Sequence, residues 1–78
     1  MNNQHPWCKA LAQNVYAVRH LKGMSLREHA KVLGISPATL SRIERGWPCD
    51  LRILAKICEG TGFSVDALLG VTTKARPK

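Results

Sequence analysis

The sequence predicts an all-α protein built from five short helices, and three observations lead to this fold class. Apolar residues recur at helical spacing, and no stretch shows the alternation of a half-buried strand. Serine, proline and glycine residues separate the chain into segments of helical length. The 78 residues are 45% hydrophobic, which suits one packed domain over residues 1–70, followed by a flexible basic tail over residues 71–78.

The first two helices are indicated by apolar spacing and by capping residues. The first is predicted over Pro6–Leu21, with Gly23 at its end. Its apolar stripe consists of Trp7, Leu11, Val15 and Val18. The second opens at Ser25, because Ser25 and Glu28 match the capping-box pattern, in which each side chain accepts the other residue's backbone N–H. Gly34 stops this helix and supplies a tight turn. Its inner face consists of Leu26, Ala30 and Leu33.

The third helix follows the turn directly. Ser36 is its N-cap and Pro37 occupies the first helical position, where proline loses no hydrogen bond. Ile35, just before the cap, is expected to pack on Leu40. Gly46 closes the helix. The residues predicted to face inward are Leu40 and Ile43.

Two more helices complete the predicted bundle. The fourth is bounded by Cys49 or Asp50 at its start and by Gly60 and Gly62 at its end. Its inner face is predicted to be Leu51, Leu54, Ala55 and Cys58. The fifth starts at Ser64 and ends at Gly70, with Phe63 able to pack on Leu68.

The net charge of the chain indicates which classes of partner it is expected to bind. Twelve Lys and Arg face five Asp and Glu, a formal net charge of +7. A positive field of this size favours binding to polyanions, with nucleic acid as the first candidate and an anionic membrane surface as the second. The alternative is that the charge only maintains solubility. No apolar run approaches the roughly 18 residues that a membrane span needs. The polar residues 1–6 lack a signal-peptide core.

The cysteines and the catalytic residue types give no sign of an enzyme. Cys8, Cys49 and Cys58 are odd in number and lack paired metal-ligand spacing, so neither a metal nor a cofactor is predicted. Cys8 and Cys58 fall at apolar helical positions, which predicts buried free thiols in a reducing cytoplasmic compartment. There is no nucleophile with a neighbouring base and no glycine-rich phosphate loop.

The spacing between Leu26 and Arg45 is the main functional signal. Two short helices that cross steeply need a small residue where they touch and a glycine in the turn, and Ala30 and Gly34 stand at those positions. The outer face of the second helix then offers small, hydroxyl-bearing or cationic side chains, which suit a groove lined with base edges and phosphates. These residues are Ala38, Ser41, Arg42 and Arg45.

The stretch SLREHAKVLGISPATLSRIERG resembles the helix-turn-helix of the Cro and phage-repressor family, with its alanine, glycine, apolar pair and ERG ending in register. The resemblance covers residues 15–70, with the motif at residues 26–45. It implies a compact five-helix bundle of the lambda-repressor-like fold that binds double-stranded DNA. It also implies a transcriptional regulator, expected to be a repressor that binds a palindromic operator as a homodimer and to be associated with the nucleoid.

The resemblance assigns roles to individual residues. The positions that match base-reading residues are Pro37, Ala38, Ser41 and Arg42. The positions that match phosphate contacts are Ser25, the amide of Leu26, Arg27, Ser36, Thr39 and Arg45. Arg19 and Glu44 match an ion pair that ties the first helix to the third, the alternative being two independent surface charges. The expected dimer surface, which alternatively completes the core, consists of Phe63, Val65, Leu69 and Val71.

Several positions depart from the family pattern. Relatives often carry glutamine at the position of Leu26 and leucine at that of His29, and this histidine is expected to be a core residue with its hydrogen bonds satisfied or an interface residue. Pro37 and Ala38 leave little direct readout, so DNA shape is expected to contribute. Trp47 either braces its loop or stacks on the DNA backbone.

Two alternatives to a homodimeric repressor stay open at this point. One is an antitoxin or restriction–modification controller that also binds a protein partner. The other is a protein-interaction module that kept the fold and lost DNA binding, which a titration with salt on random duplex would separate from a DNA-binding protein. Neither a membrane partner nor a small-molecule ligand is expected.

Overall fold

The computed structural model describes residues 5–70 and contains five α-helices in this part of the chain. They are α1 Pro6–Leu21, α2 Leu26–Leu33, α3 Pro37–Glu44, α4 Leu51–Thr61 and α5 Val65–Leu69. The fold class predicted from the sequence is confirmed, since the described residues form helices joined by short turns. The predicted basic tail over residues 71–78, including Val71, lies outside the described residues.

Local hydrogen bonds set the starts of the helices. The backbone N–H of Glu28 donates to Ser25 Oγ at 3.1 Å, and the backbone N–H of Ser25 donates to Glu28 Oε1 at 2.8 Å. This is the predicted capping box, and it satisfies two backbone donors at the start of α2. A hydroxyl or carboxylate caps each of the next three helices in the same way, from Ser36, Asp50 and Ser64.

The turn between α2 and α3 depends on Gly34. Its φ of 77° lies in the left-handed region, which a glycine adopts without a steric penalty. The backbone N–H groups of Gly34 and Ile35 donate to the carbonyl oxygens of Lys31 and Ala30, so the last turn of α2 is closed. The chain can therefore leave α2 and enter α3 within three residues.

The core lies where the five helices meet. α1 packs against α3 and α5, and α2 packs against α3 and α4. Ala30 is fully buried, as a small residue must be where two helix backbones approach closely. The buried core cluster consists of Leu11, Val15, Ala30, Leu33, Leu40, Ile43, Ile57 and Leu68.

The predicted inner faces of α1 and α4 were partly wrong. Trp7 begins the predicted stripe of α1, yet 54% of its surface is exposed. In α4, Leu51 is 80% exposed and Ala55 is also exposed, whereas Ile57, which the prediction missed, is completely buried. Helix α4 carries apolar residues on more than one face, so its spacing alone does not fix which face packs. Contact with α2 selects the side that contains Ile57.

The predicted end of α4 was right at Gly62 and wrong at Gly60. The helix continues through Gly60 to Thr61, and Gly62 caps it in the left-handed region with φ of 81°. Thr61 Oγ1 donates to the carbonyl oxygen of Ile57 at 2.8 Å, inside the last turn. A Cβ added at Gly60 would lie 2.5 Å from Leu33 Cδ2 and 3.3 Å from Leu33 Cα. Glycine is therefore needed here because α2 approaches closely, and not to stop the helix.

We expect Gly60→Ala to destabilise the domain by about 1–2 kcal/mol, because the added methyl group overlaps Leu33 in the core. The sign is informative, since alanine is favoured over glycine in a helix by about 1 kcal/mol when nothing collides with it. Unfolding in urea measures the change. In a Leu33→Ala background, where the colliding methyl group is gone, the same substitution should be neutral or stabilising. Stabilisation in both backgrounds would rule out the close approach as the reason for the glycine.

Candidate nucleic-acid interface

Helix α3 has one buried side and one open side. Leu40 and Ile43 face the core and are almost completely buried. On the opposite side, Pro37, Ala38 and Arg42 are exposed, and Ser41 is half-buried. The structure therefore places the four residues matched to base reading on or beside one accessible surface. This surface has small side chains near the N-terminus of α3 and a guanidinium one turn later.

The hydroxyls at the start of α3 are engaged with each other. Ser36 Oγ accepts the backbone N–H of Thr39 at 3.1 Å and donates to Thr39 Oγ1 at 2.8 Å. Ser36 is exposed and Thr39 is half-buried. The pair fixes the first turn of α3 and leaves the Thr39 hydroxyl able to donate a hydrogen bond, beside the positive end of the helix dipole.

The start of α2 offers an anion site beside an acidic side chain. Ser25 and Arg27 are exposed, whereas the side chain of Leu26 packs against the core, so only the amide of Leu26 can face a ligand. The first N–H groups of a helix attract anions. The carboxylate of Glu28 already accepts one backbone donor there, so a phosphate at this end needs Arg27 to offset the charge of Glu28.

One further arginine and a tryptophan lie at the end of α3. Arg45 is exposed, and its Nε lies 3.4 Å from the carbonyl oxygen of Ser41, which directs the side chain along the helix. The backbone N–H of Trp47 donates to the carbonyl oxygen of Arg42 at 3.0 Å and helps to close α3. The indole of Trp47 is about half exposed, so its backbone supports the helix end while its ring remains accessible.

An ion pair links α1 to the end of α3. Arg19 Nε donates to Glu44 Oε2 at 2.8 Å, and Arg19 Nη2 donates to Glu44 Oε1 at 3.1 Å. The two side chains are only 15% and 8% exposed. The hydrogen bond to Glu44 raises the pKa of Arg19, against the opposing effect of burial. Two charges held in this geometry, away from most solvent, are costly to separate.

Arg19 also holds the connection between α1 and α2. Its Nη1 donates to the carbonyl oxygen of Met24 at 3.2 Å, and its guanidinium lies 5.3 Å from the centre of the Tyr16 ring. Because Met24 precedes the N-cap of α2, one side chain fixes the positions of α2 and α3 relative to α1. The role is structural, since three of the guanidinium nitrogens are used inside the protein.

The predicted hydrogen bonding of His29 was wrong. The residue is buried, with 1% exposure, but neither Nδ1 nor Nε2 has a hydrogen-bond partner within residues 5–70. Burial lowers the pKa of His29, and the positive charges of Lys22 and Arg19 lower it further, against the opposite effect of Glu44. The histidine therefore occupies a core position as a neutral ring, and burying its two nitrogen atoms without hydrogen-bond partners costs free energy.

Two long-range contacts had no signal in the sequence. Lys56 Nζ donates to the carbonyl oxygen of Gly34 at 3.3 Å, so α4 supports the turn of the motif. Asn14 Nδ2 donates to the carbonyl oxygens of Leu68 at 2.8 Å and Ala67 at 3.2 Å, which caps the end of α5. The partners are distant in sequence, so no local motif could reveal either contact.

The structure also bears on other classes of site. Within residues 5–70 no helix is long and apolar enough to span a membrane. No group of three or more His, Cys, Asp or Glu among these residues is arranged to hold a metal ion. The three cysteines are free thiols and only half-buried, so the predicted full burial of Cys8 and Cys58 was wrong.

Comparison with known proteins gives consistent matches. The family model HTH_3, described as helix-turn-helix, matches residues 15–68. The chain is similar to the clp gene regulator ClgR from C. glutamicum, with 33% identity, a TM-score of 0.70, and coverage of 88% of this chain and 90% of that one. No curated protein matches the chain.

Two other solved structures have similar folds. One is an HTH_3 family transcriptional regulator from Vibrio cholerae, with 29% identity and a TM-score of 0.71, where the match covers 87% of this chain and 39% of that one. The other is the hypothetical transcription factor NHTF from Neisseria, with 28% identity, a TM-score of 0.74, and coverage of 86% and 76%.

We expect the stability of the protein to fall as the pH drops below about 6.5, because His29 takes up a proton more readily in the unfolded chain. Above the pKa that His29 has in the unfolded chain, protonation of the ring does not lower stability. Stability is lost as the pH falls from that value towards the lower pKa of His29 in the folded protein. His29→Leu should remove this part of the pH dependence and stabilise the neutral protein by about 1–2 kcal/mol.

Thermal unfolding between pH 5 and pH 8 measures both effects of the His29 substitution. His20→Gln is the matched control, because His20 is exposed on α1 and its removal should leave the acid-dependent loss in place. An unchanged pH profile in the His29→Leu protein would contradict the assignment.

We expect Glu44→Gln to destabilise the domain by about 2–3 kcal/mol, because Arg19 would keep a partly buried charge without its counter-charge. Arg52→Gln serves as the control, since the pair of Arg52 with Asp50 is exposed and 3.9 Å long and should contribute less than about 0.5 kcal/mol. Chemical unfolding compares the two variants. Equal, small losses would show that the Arg19–Glu44 pair behaves as an ordinary surface contact.

Proposed function

Because this chain belongs to the HTH_3 helix-turn-helix family, we propose that α3 enters the major groove of duplex DNA and reads base edges there. Membership in the family, together with the neighbouring structures, identifies the chain as a non-enzymatic, DNA-binding transcriptional regulator. The observation that supports the reading role of α3 is its open surface, which lies opposite Leu40 and Ile43. The net charge of +7 supports a polyanionic partner.

Base reading in this proposal centres on Arg42. Its exposed guanidinium presents paired donors, which match the O6 and N7 acceptors of guanine. Ala38 offers a methyl contact to thymine, and Ser41 offers one hydroxyl. Pro37 has no side-chain hydrogen-bonding group, so part of the sequence preference is expected to come from the shape and deformability of the DNA.

Phosphate contacts in this proposal come from two helix N-termini and from nearby cations. The contributing groups are Ser25, the Leu26 amide, Arg27, Ser36, Thr39 and Arg45. Backbone donors at the starts of α2 and α3 point out of the helices, where they suit phosphate oxygens. These contacts fix the register of the protein on the duplex and carry no sequence information themselves.

The dimer in this proposal forms around α5. Phe63 and Val65 are exposed, and Leu69 is half-buried. Apolar grooves lie on both sides of α5, one lined by Val65 and Leu69 and one by Phe63 and Ala67. Val71 was predicted to belong to the same surface and lies outside the described residues. A homodimer would place two copies of α3 about 34 Å apart, one turn of the duplex, on a palindromic operator.

Repression is the regulatory outcome we propose. A dimer seated on an operator blocks access to the DNA by occupancy alone. The protein would act in the cytoplasm at the nucleoid, where its operator lies.

We expect Arg42→Ala to weaken binding to the selected operator by about 1–3 kcal/mol and to relax the preference at one base position. The operator is obtained by selection from a random duplex pool, and affinities are measured at several salt concentrations. Arg52→Ala is the matched control, since it removes the same charge from an exposed site on α4. Equal losses on operator and random DNA would refute base reading by Arg42, and a flat salt response of the wild-type protein would refute DNA binding through phosphates.

A further inference from the structure

The fold brings together cysteines that are far apart in sequence. Cys8, in the first turn of α1, and Cys49, just before α4, line the same cavity of about 300 Å³. The remaining lining is apolar and includes Leu11, Leu54 and Leu69. Both thiols are half-buried, and neighbouring lining residues are largely exposed, so small solutes can enter the cavity of a single chain. A second copy seated on Val65 and Leu69, as proposed above, would cover it, so the reaction is that of the monomer.

The surroundings of Cys49 oppose the ionisation of its thiol. Burial raises the pKa of Cys49, and negative charge on Asp50, Cys8 and Cys58 raises it further. Charges on Cys8 and on Cys58 both act on Cys49, so the shared apolar lining, and not this electrostatic effect, singles out Cys8 as its partner. Burial also raises the pKa of Cys58, on α4, but Cys58 does not line the cavity.

We propose that Cys8 and Cys49 form a redox-responsive dithiol, which low-molecular-weight disulfides oxidise to an intramolecular disulfide. The first protein thiolate attacks a sulfur of the small disulfide, which gives a mixed disulfide and releases one small thiol. The second protein thiolate then attacks the protein sulfur of that mixed disulfide and releases the second small thiol. The protein loses two electrons and two protons, and the small disulfide is reduced to two thiols.

The surroundings of the pair set the rate of this reaction. The lining residues within the described chain include no Lys, Arg or His that would favour a thiolate. The pair should therefore react slowly at neutral pH and faster as the pH approaches the raised pKa of Cys49. Such a pair responds to sustained oxidative conditions and not to brief ones.

The position of the pair gives the disulfide a structural effect. It would tie the first turn of α1 to the segment that leads from α3 to α4. Closing the chain from residue 8 to residue 49 restricts the unfolded state across the first three helices. We expect oxidation to raise the melting temperature by about 10 °C.

The test uses the full 78-residue chain and oxidised glutathione at pH 8.5. Intact-mass spectrometry should show the loss of two hydrogens, and peptide mapping without reduction should show one linked pair, Cys8 with Cys49. The melting temperature should rise and return to its original value after treatment with dithiothreitol. Cys58→Ser should behave like the wild-type chain in all three measurements.

Two variants make the assignment falsifiable. Cys8→Ser and Cys49→Ser should each stop at a glutathione adduct, with no internal link and no rise in melting temperature. Circular dichroism verifies that each variant is folded, and the wild-type peptide map decides the matter if one is not. A map that links Cys58, a product that links two chains, or a wild-type chain that carries only glutathione adducts would overturn the proposal.

Discussion

The burial of Leu40 and Ile43 is the contact on which the rest of the molecule depends. Helix α3 has only eight residues and would be marginal as an isolated helix in water. It persists because these two side chains are almost completely removed from solvent against the other helices. The same packing fixes which side of α3 stays open, and so it determines which residues can meet a ligand.

Features that depend on neighbouring residues were predictable from the sequence. The capping box of Ser25 and Glu28 and the cap at Ser36 involve groups three residues apart, so the sequence contains all of the required atoms. The turn at Gly34 is equally local, because its left-handed backbone is a property of one residue. These signals were enough to place α2 and α3 and the surface between their N-termini.

Features decided by tertiary contact were not predictable in the same way. Helix α4 has apolar residues around much of its circumference, and only the presence of α2 shows that Ile57 faces inward while Leu51 does not. Gly60 looked like a helix stop because glycine often is one, whereas here the Leu33 side chain occupies the space that a Cβ would need. The missing hydrogen bonds of His29 and the convergence of Cys8 with Cys49 likewise need the packed fold.

The two ends of α3 are held by side chains that lie outside the helix pair itself. At the C-terminal end of α3, Arg19 of α1 forms an ion pair with Glu44. Near the N-terminal end, Lys56 of α4 donates a hydrogen bond to the carbonyl oxygen of Gly34. Helix α3 is thus pre-organised: the entropy needed to order it is lost when the domain folds and not when it meets a ligand. An excised two-helix fragment would lack both supports. In the proposed complex, adaptation to different duplexes would then fall mainly on the DNA, whose bending and groove width would have to fit a nearly rigid helix.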